Sequence, residues 1–223
     1  MVAFIDVLGW SRAVEASDGD PALRVRMLNA AWALAARVQN YVEDDTPDHP
    51  SRDEYSQFSD SFVVSFRYDG PTDLLRLVRL VSEFQSTMLL AGFVLRGGIT
   101  VGPLFHTREI VFGRAMNRAY ELESKLAVAA RVVVDPSLTE PLMTATPMMP
   151  KHWPFVVQAD DQFWETDCLT IYARSPPLSV AVDAQIEGWL HEHRRRPNVL
   201  AKYEQLAARW RVAKADEPVS PAC

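Results

Sequence analysis

Cysteine is scarce in this chain: Cys168 and Cys223 are the only two in 223 residues. Two cysteines, one of them in the polar tail, cannot frame a disulfide-stapled fold, so a reduced, cytoplasmic setting is expected. An excess of positive charge is missing as well. With 23 Lys and Arg against 29 Asp and Glu, the formal charge is −6. That balance argues against a nucleic-acid binder, whose affinity would rest on basic side chains neutralising phosphates. No apolar run approaches the ~18 to 20 residues that span a bilayer, and the N-terminus enters an apolar strand with no basic leader. A soluble, unprocessed protein without a membrane partner is therefore expected. Internal repeats and low-complexity tracts are absent too.

The length suits one sizeable core plus a helical appendage. Residues 21 to 42 place Leu23, Met27, Ala31, Leu34, Val38 and Tyr41 at three- and four-residue steps, and residues 71 to 91 repeat the pattern with Leu74, Leu77, Val81, Phe84 and Met88. Both read as amphipathic helices. Residues 43 to 53 are polar with two prolines and read as a surface loop, as does Thr144 to Pro154. A strand is expected over Phe93 to Val101, then a hairpin through Pro103 to Phe112. Helices follow over Leu178 to Arg211 with a break at Pro197, and then a disordered tail. The order of elements suggests a ferredoxin-like α+β core, with helices on one face of a mostly antiparallel sheet. The boundaries are 1–175 for the main domain, 176–212 for a C-terminal helical extension and 213–223 for the tail.

Two acids stand out against this frame. Asp6 ends the apolar run Phe4-Ile5-Asp6-Val7-Leu8 just before Gly9-Trp10, and Asp60 lies between the strand-like runs Tyr55–Phe58 and Phe62–Phe66. Each alone reads first as a turn former. As a pair on adjacent strand ends, they offer hard oxygen ligands suited to Mg²⁺ or Mn²⁺, leaving room for substrate phosphates. Leu8, Gly9, Trp10 and Ser11 open a helix whose first N–H groups form an anion site, or else make an ordinary strand-to-helix turn.

Two further segments complete a pattern: Leu95-Arg96-Gly97-Gly98-Ile99-Thr100-Val101-Gly102 and Phe112-Gly113-Arg114-Ala115-Met116-Asn117-Arg118-Ala119-Tyr120-Glu121-Leu122-Glu123-Ser124. With Phe4-to-Trp10 and Ser59-Asp60-Ser61, in this order and at these separations, they resemble the class III nucleotidyl cyclase catalytic domain over roughly residues 1 to 175. The run Ala130 to Leu138 is similar to the strand and turn that follow in that family. The short chain and the Phe-Ser-Asp-Ser and Arg-Gly-Gly wording look most like the pyrimidine cyclases of bacterial Pycsar antiphage defence.

The resemblance implies conversion of UTP to 3',5'-cyclic UMP and pyrophosphate, with CTP to cyclic CMP as the near alternative, and a separate effector protein that senses the product. Adenylate or guanylate cyclase activity and a non-catalytic nucleotide-binding module are the rivals. It also implies two divalent cations per site, Mn²⁺ or Mg²⁺, bridged by Asp6 and Asp60 with the Val7 carbonyl. Val7, Leu8, Gly9, Trp10 and Ser11 would contact substrate, Arg96 would reach the terminal phosphates, and Asn117 would act from the other subunit of a homodimer with shared active sites. The chain departs from the family at Glu121, where a transition-state Arg stands, so either Arg118 or Arg114 would substitute or the metals would carry more of the load. A triphosphate-gripping Lys is not evident between Phe163 and Tyr172. The purine-reading positions carry no charge, and Tyr55, if it enters the pocket, would narrow it toward a pyrimidine; otherwise it is a core aromatic.

Overall fold

The computed structural model describes residues 1–42, 54–127, 129–145, 152–153 and 155–215. In chain order the elements are β1 (Val2–Leu8), α1 (Trp10–Ser17), α2 (Pro21–Val42), β2 (Glu54–Phe58), β3 (Ser61–Ser65), α3 (Pro71–Leu90), β4 (Val94–Thr100), β5 (Phe105–His106), β6 (Val111–Phe112), α4 (Arg114–Lys125) and β7 (Val132–Val134). A short 3-10 turn at Pro136–Leu138 leads into α5 (Thr139–Ala145), β8 (His152–Trp153), β9 (Val156–Gln158), β10 (Trp164–Thr166), α6 (Thr170–Ala173), α7 (Pro176–His193) and α8 (Pro197–Ala215).

Among the described residues one sheet of eight strands runs in the order β2-β3-β1-β4-β7-β10-β9-β8. β1 is antiparallel to both β3 and β4, and only β4 and β7 run parallel. The α+β class stands: several helices cover a mostly antiparallel sheet.

The helices do not keep to one face, contrary to the sequence expectation. Side chains alternate along a strand, and in β1 one set, Ala3, Ile5 and Val7, joins a core with Met27 of α2 and Leu74, Leu77 and Phe84 of α3. The other set, Val2 and Phe4, packs with Ala115 and Ala119 of α4. A strand apolar at every position needs a layer on each side, and β1 obtains both. Gly98 permits the second: a Cβ there would meet Leu122 Cβ at 2.5 Å and the Ala119 carbonyl oxygen at 2.6 Å. Gly98 therefore marks close packing of α4 on an unbroken β1–β4 ladder, whereas a Cβ at Gly97 would meet the Phe4 and Ile5 backbone of β1.

The two stripes read from the sequence largely face the core. Leu74, Leu77, Val81, Phe84 and Met88 of α3 are completely buried, and Phe62 meets Phe84 edge to face at 5.3 Å. In α2, Met27 and Ala31 are buried, while the side chains of Leu34, Val38 and Tyr41 lie outside the described residues. So do the expected loop at 43–53 and residues 216–223 of the expected tail; 213–215 belong to α8. The expected Thr144–Pro154 loop overlaps the end of α5 and all of β8. Those elements, like β9 and β10, are too short to establish a periodicity.

The C-terminal pair α7 and α8 packs on the same molecule through a cluster holding Trp189, Tyr203, Leu206 and Trp210 together with Leu89, Val94 and Ala130. Trp189 stacks on Tyr203 at 5.2 Å, and the Trp210 indole N–H donates to Asp183 at 2.7 Å. These aromatics dock the extension, as their large apolar area would demand.

Candidate functional site

The β1–β3 ladder brings Asp6 and the turn that carries Asp60 to one end of neighbouring interior strands. Asp6 pairs across the ladder with Ser61 on one side and Arg96 on the other. Ser59 and Asp60 form the β2–β3 turn, with Ser59 at φ +56°. The Val7 amide donates to the Asp60 carbonyl at 2.9 Å, which clamps the turn onto β1 one residue beyond Asp6.

Asp6 falls on the α4 face of β1, the face of Val2 and Phe4, and α4 supplies a third acid there. Glu123 is 3% exposed. Burial raises its pKa; the Arg96 charge opposes this, and the carboxylates of Asp6 and Asp60 raise it further. Lys202 of α8 also acts on Glu123 and lowers its pKa, so the C-terminal extension brings a cation within range of this cluster. Arg96 binds the acids together: its Nε lies 2.7 Å from both Asp6 Oδ2 and Glu123 Oε1. Nε carries one hydrogen and donates it to Asp6; Glu123 Oε1 is left buried without a hydrogen-bond donor.

Next to Asp6 the chain leaves the strand at Gly9, whose φ of +76° suits a residue without Cβ. Gly9 precedes α1, eight residues long, which has no side-chain cap and no acid in its first turn. Its leading N–H groups follow Asp6 closely along the chain, and the helix dipole there has the sign that favours anions. Ser11 is exposed, Leu8 half-buried, and Trp10 is buried against Phe93 at 5.4 Å between ring centroids.

Three residues singled out from the sequence are not brought to this cluster. Tyr55 pairs with Val64, on the α2–α3 face, and stacks on Phe62 at 6.4 Å. It is the core aromatic of the two alternatives; burial pushes its phenol up to about 12. Asn117 is exposed on α4. Six residues at 3.6 per turn set Asn117 about 120° round the helix from Glu123, off the face that carries it. Arg118 is tied elsewhere, donating to both Asp135 oxygens at 2.8 and 3.3 Å and to Glu121 at 3.0 Å. Its pKa is raised, chiefly by the Asp135 hydrogen bond. Burial pushes the Asp135 carboxyl up, but bonds from Arg118, Ser137 and Thr100 outweigh it and hold the group below the usual range.

Glu123 is the residue sequence reasoning left without a role. Its signal was there: Ala115, Ala119 and Glu123 fall at four-residue steps, which sets a charge on the buried stripe of an amphipathic helix. Lys202 carried no comparable signal, because only the tertiary docking of α8 brings it near.

The donor set can be tested against a pair of divalent cations. Asp6, Asp60 and the donorless Glu123 oxygen are all hard oxygens, the chemistry Mg²⁺ and Mn²⁺ prefer. Among the described residues no group of three or more His, Cys, Asp or Glu side chains is arranged to hold a metal ion by itself. Such an ion would draw further oxygens from the backbone and from substrate, the usual arrangement for Mg²⁺ with phosphates. The residues fit the group, with Arg96 as the counter-charge now in place. No protein-family model matches the chain, and no curated protein matches it. Among the described residues no helix is long and apolar enough to cross a membrane.

Proposed function

We propose that the protein is a nucleotidyl cyclase of the class III type, with a ferredoxin-like catalytic core, and that it converts UTP to 3',5'-cyclic UMP and pyrophosphate. One observation carries the reading: Asp6 and Asp60, remote in sequence, come to one end of β1, ahead of the uncapped start of α1. Carboxylates for cations and backbone N–H groups for phosphates would then serve one site at this end of β1, as cyclisation of a nucleoside triphosphate requires.

In this reading the ribose 3'-oxygen forms a bond to the α-phosphorus while the bond from that phosphorus to the β-phosphate bridging oxygen breaks. Asp6, Asp60 and the Val7 carbonyl would hold two divalent cations, which would lower the 3'-hydroxyl pKa and neutralise the departing pyrophosphate. The backbone from Leu8 to Ser11 receives the triphosphate at the α1 N-terminus. Arg96, released from Asp6 as cations take over its counter-charge, is placed to contact terminal phosphate oxygens with its planar fork. Asn117 serves the site of a second copy. Arg118, 40% exposed at its side chain and one residue from Asn117, supplies the positive charge that Glu121 cannot. The exposed Phe105, Ile110, Phe112 and Tyr120 near α4 support a homodimer that covers this face.

The assignment to pyrimidines of the Pycsar type, with a cytoplasmic setting and a separate effector reading the product, rests on the wording of the motifs. CTP remains the near alternative. A second reading, a nucleotide-binding module without turnover, is favoured by the Arg96–Asp6 ion pair and by Glu121. Incubation with each of UTP, CTP, ATP and GTP plus Mn²⁺, with products identified by mass, separates them. A cyclic product from UTP that vanishes in Asp60→Asn supports the cyclase. Nucleotide affinity without product from any of the four leaves the binding module.

A further inference from the structure

Four carboxylates, those of Asp160, Asp161, Glu165 and Asp167, line a second cavity against two guanidinium groups, those of Arg131 and Arg209. The proposed chemistry uses none of them. The cavity encloses about 540 Å³ between α8, the β9–β10 hairpin and the end of α4. That volume suits a small organic ligand.

Both guanidinium groups are already committed. Arg209 pairs with Glu165 and donates from Nη1 to the Ala130 carbonyl at 2.6 Å, while Arg131 donates from Nη2 to Asp161 at 2.6 Å and to the Leu126 carbonyl at 2.9 Å. Asp160 and Asp167 are left without a cationic partner among the described residues, and the lining carries a formal charge of −2. Asp167 is 7% exposed, and its Oδ1 accepts from the Leu169 and Thr170 amides at 2.9 and 3.1 Å. Its Oδ2 accepts from no described group and, unlike Glu165 Oε2, is not sealed from solvent. A carboxylate this deeply placed calls for a matching charge. Asp160 is exposed in the β9–β10 turn.

The walls decide what kind of cation fits. Leu126, Val157, Leu169 and Val212 are aliphatic, and among the described residues no aromatic side chain lines the cavity to cage a quaternary ammonium. A hydrated metal ion gains nothing from such walls, whereas a methylene chain gains by every CH₂ it buries there.

We infer that this cavity binds a linear aliphatic diamine or polyamine. One ammonium donates to Asp167 Oδ2, the methylene chain lies along the aliphatic walls, and a second ammonium pairs with Asp160. The site is separate from the carboxylate cluster of Asp6 and Asp60 and does not depend on the function proposed there.

The test uses the full chain at physiological ionic strength, with binding read by saturation-transfer NMR. The probes are the diamines from 1,4-diaminobutane to 1,8-diaminooctane, with the monoamine and the diol of each length. A diamine is expected to bind, its monoamine about 3-fold more weakly for loss of an exposed ion pair, and its diol about 10-fold more weakly or worse for loss of the bond to a buried charge. Asp160→Asn is expected to bring the diamine down to the affinity of the monoamine and to leave the monoamine unchanged. Ala208→Phe, which fills the cavity from an exposed position on α8, is expected to abolish binding of both amines while leaving Tm unchanged, and Asp60→Asn to leave binding intact. A monoamine or diol that binds as tightly as its diamine, diamine binding that is unaffected by Asp160→Asn or survives Ala208→Phe, or no binding of any diamine at millimolar concentration overturns the inference.

Discussion

Arg96 gives its single Nε hydrogen to Asp6 at 2.7 Å across adjacent antiparallel strands, and in doing so leaves the equally close Glu123 without a donor. One guanidinium thus holds together an acidic cluster that would otherwise repel itself. Removing one partner from a buried ion pair leaves an uncompensated charge, at a cost of about 3 kcal/mol. Arg96→Ala is expected to lower stability by about that amount in urea denaturation, and added Mn²⁺ is expected to recover more Tm in this variant than in the wild type. A variant as stable as the wild type would show that Arg96 is not the cluster's counter-charge.

Glu123 gives a pH-dependent test. Its folded pKa is raised, so the folded state binds more protons than the unfolded one over the window between the ordinary carboxylate pKa and the folded value. The stability it contributes is fully present below that window and is lost as pH rises through it. Glu123→Gln removes the charge but keeps the shape. Its Tm relative to wild type is expected to climb as pH rises above the ordinary carboxylate range; a difference independent of pH would contradict the assignment.

His106 gives the opposite slope. Desolvation lowers its pKa to about 4, and its ring bridges Ser56 at 2.9 Å and Ser65 at 2.8 Å, fastening the β5–β6 hairpin to the sheet. Because the folded pKa lies below the unfolded one, stability from this group is present above the unfolded pKa of about 6.5 and declines as pH falls toward 4. His106→Gln is expected to flatten the Tm profile over that interval. An unchanged profile would place the acid sensitivity elsewhere.

Gly98 tests the two-faced sheet. A methyl group there would collide with Leu122 and the Ala119 carbonyl, and overpacking of this kind costs about 1 to 3 kcal/mol. Gly98→Ala is expected to lose that much in denaturant unfolding. A neutral result would mean that α4 sits farther from β4 than described.

The helices α2, α3, α7 and α8 and the hairpin around Asp60 were legible because each is long enough for its apolar period to repeat, or is bracketed by a clear break such as Pro71 or Pro197, while α4 was reached only through the motif resemblance. The approach of Asp6 and Asp60 was legible for a related reason: both end apolar runs, and the ends of neighbouring strands lie together. What escaped was facing. Tyr55 was on a strand in either case, but only its pairing with Val64 says which face it occupies. The layer formed by α4 was foreshadowed by a β1 apolar on both parities, yet a short run does not say what lies above it. Glu123 became visible once α4 had a face, and Lys202 only once α8 had docked.

The central claim is that Asp6 and Asp60 together grip cations under a bound triphosphate. Electron paramagnetic resonance titration of Mn²⁺ in the presence of a non-hydrolysable UTP analogue reads this directly. Two bound Mn²⁺ per chain in the wild type, lost in Asp60→Asn and in Asp6→Asn with the fold intact by circular dichroism, is the expected result. Mn²⁺ binding that is unchanged in both variants would contradict it.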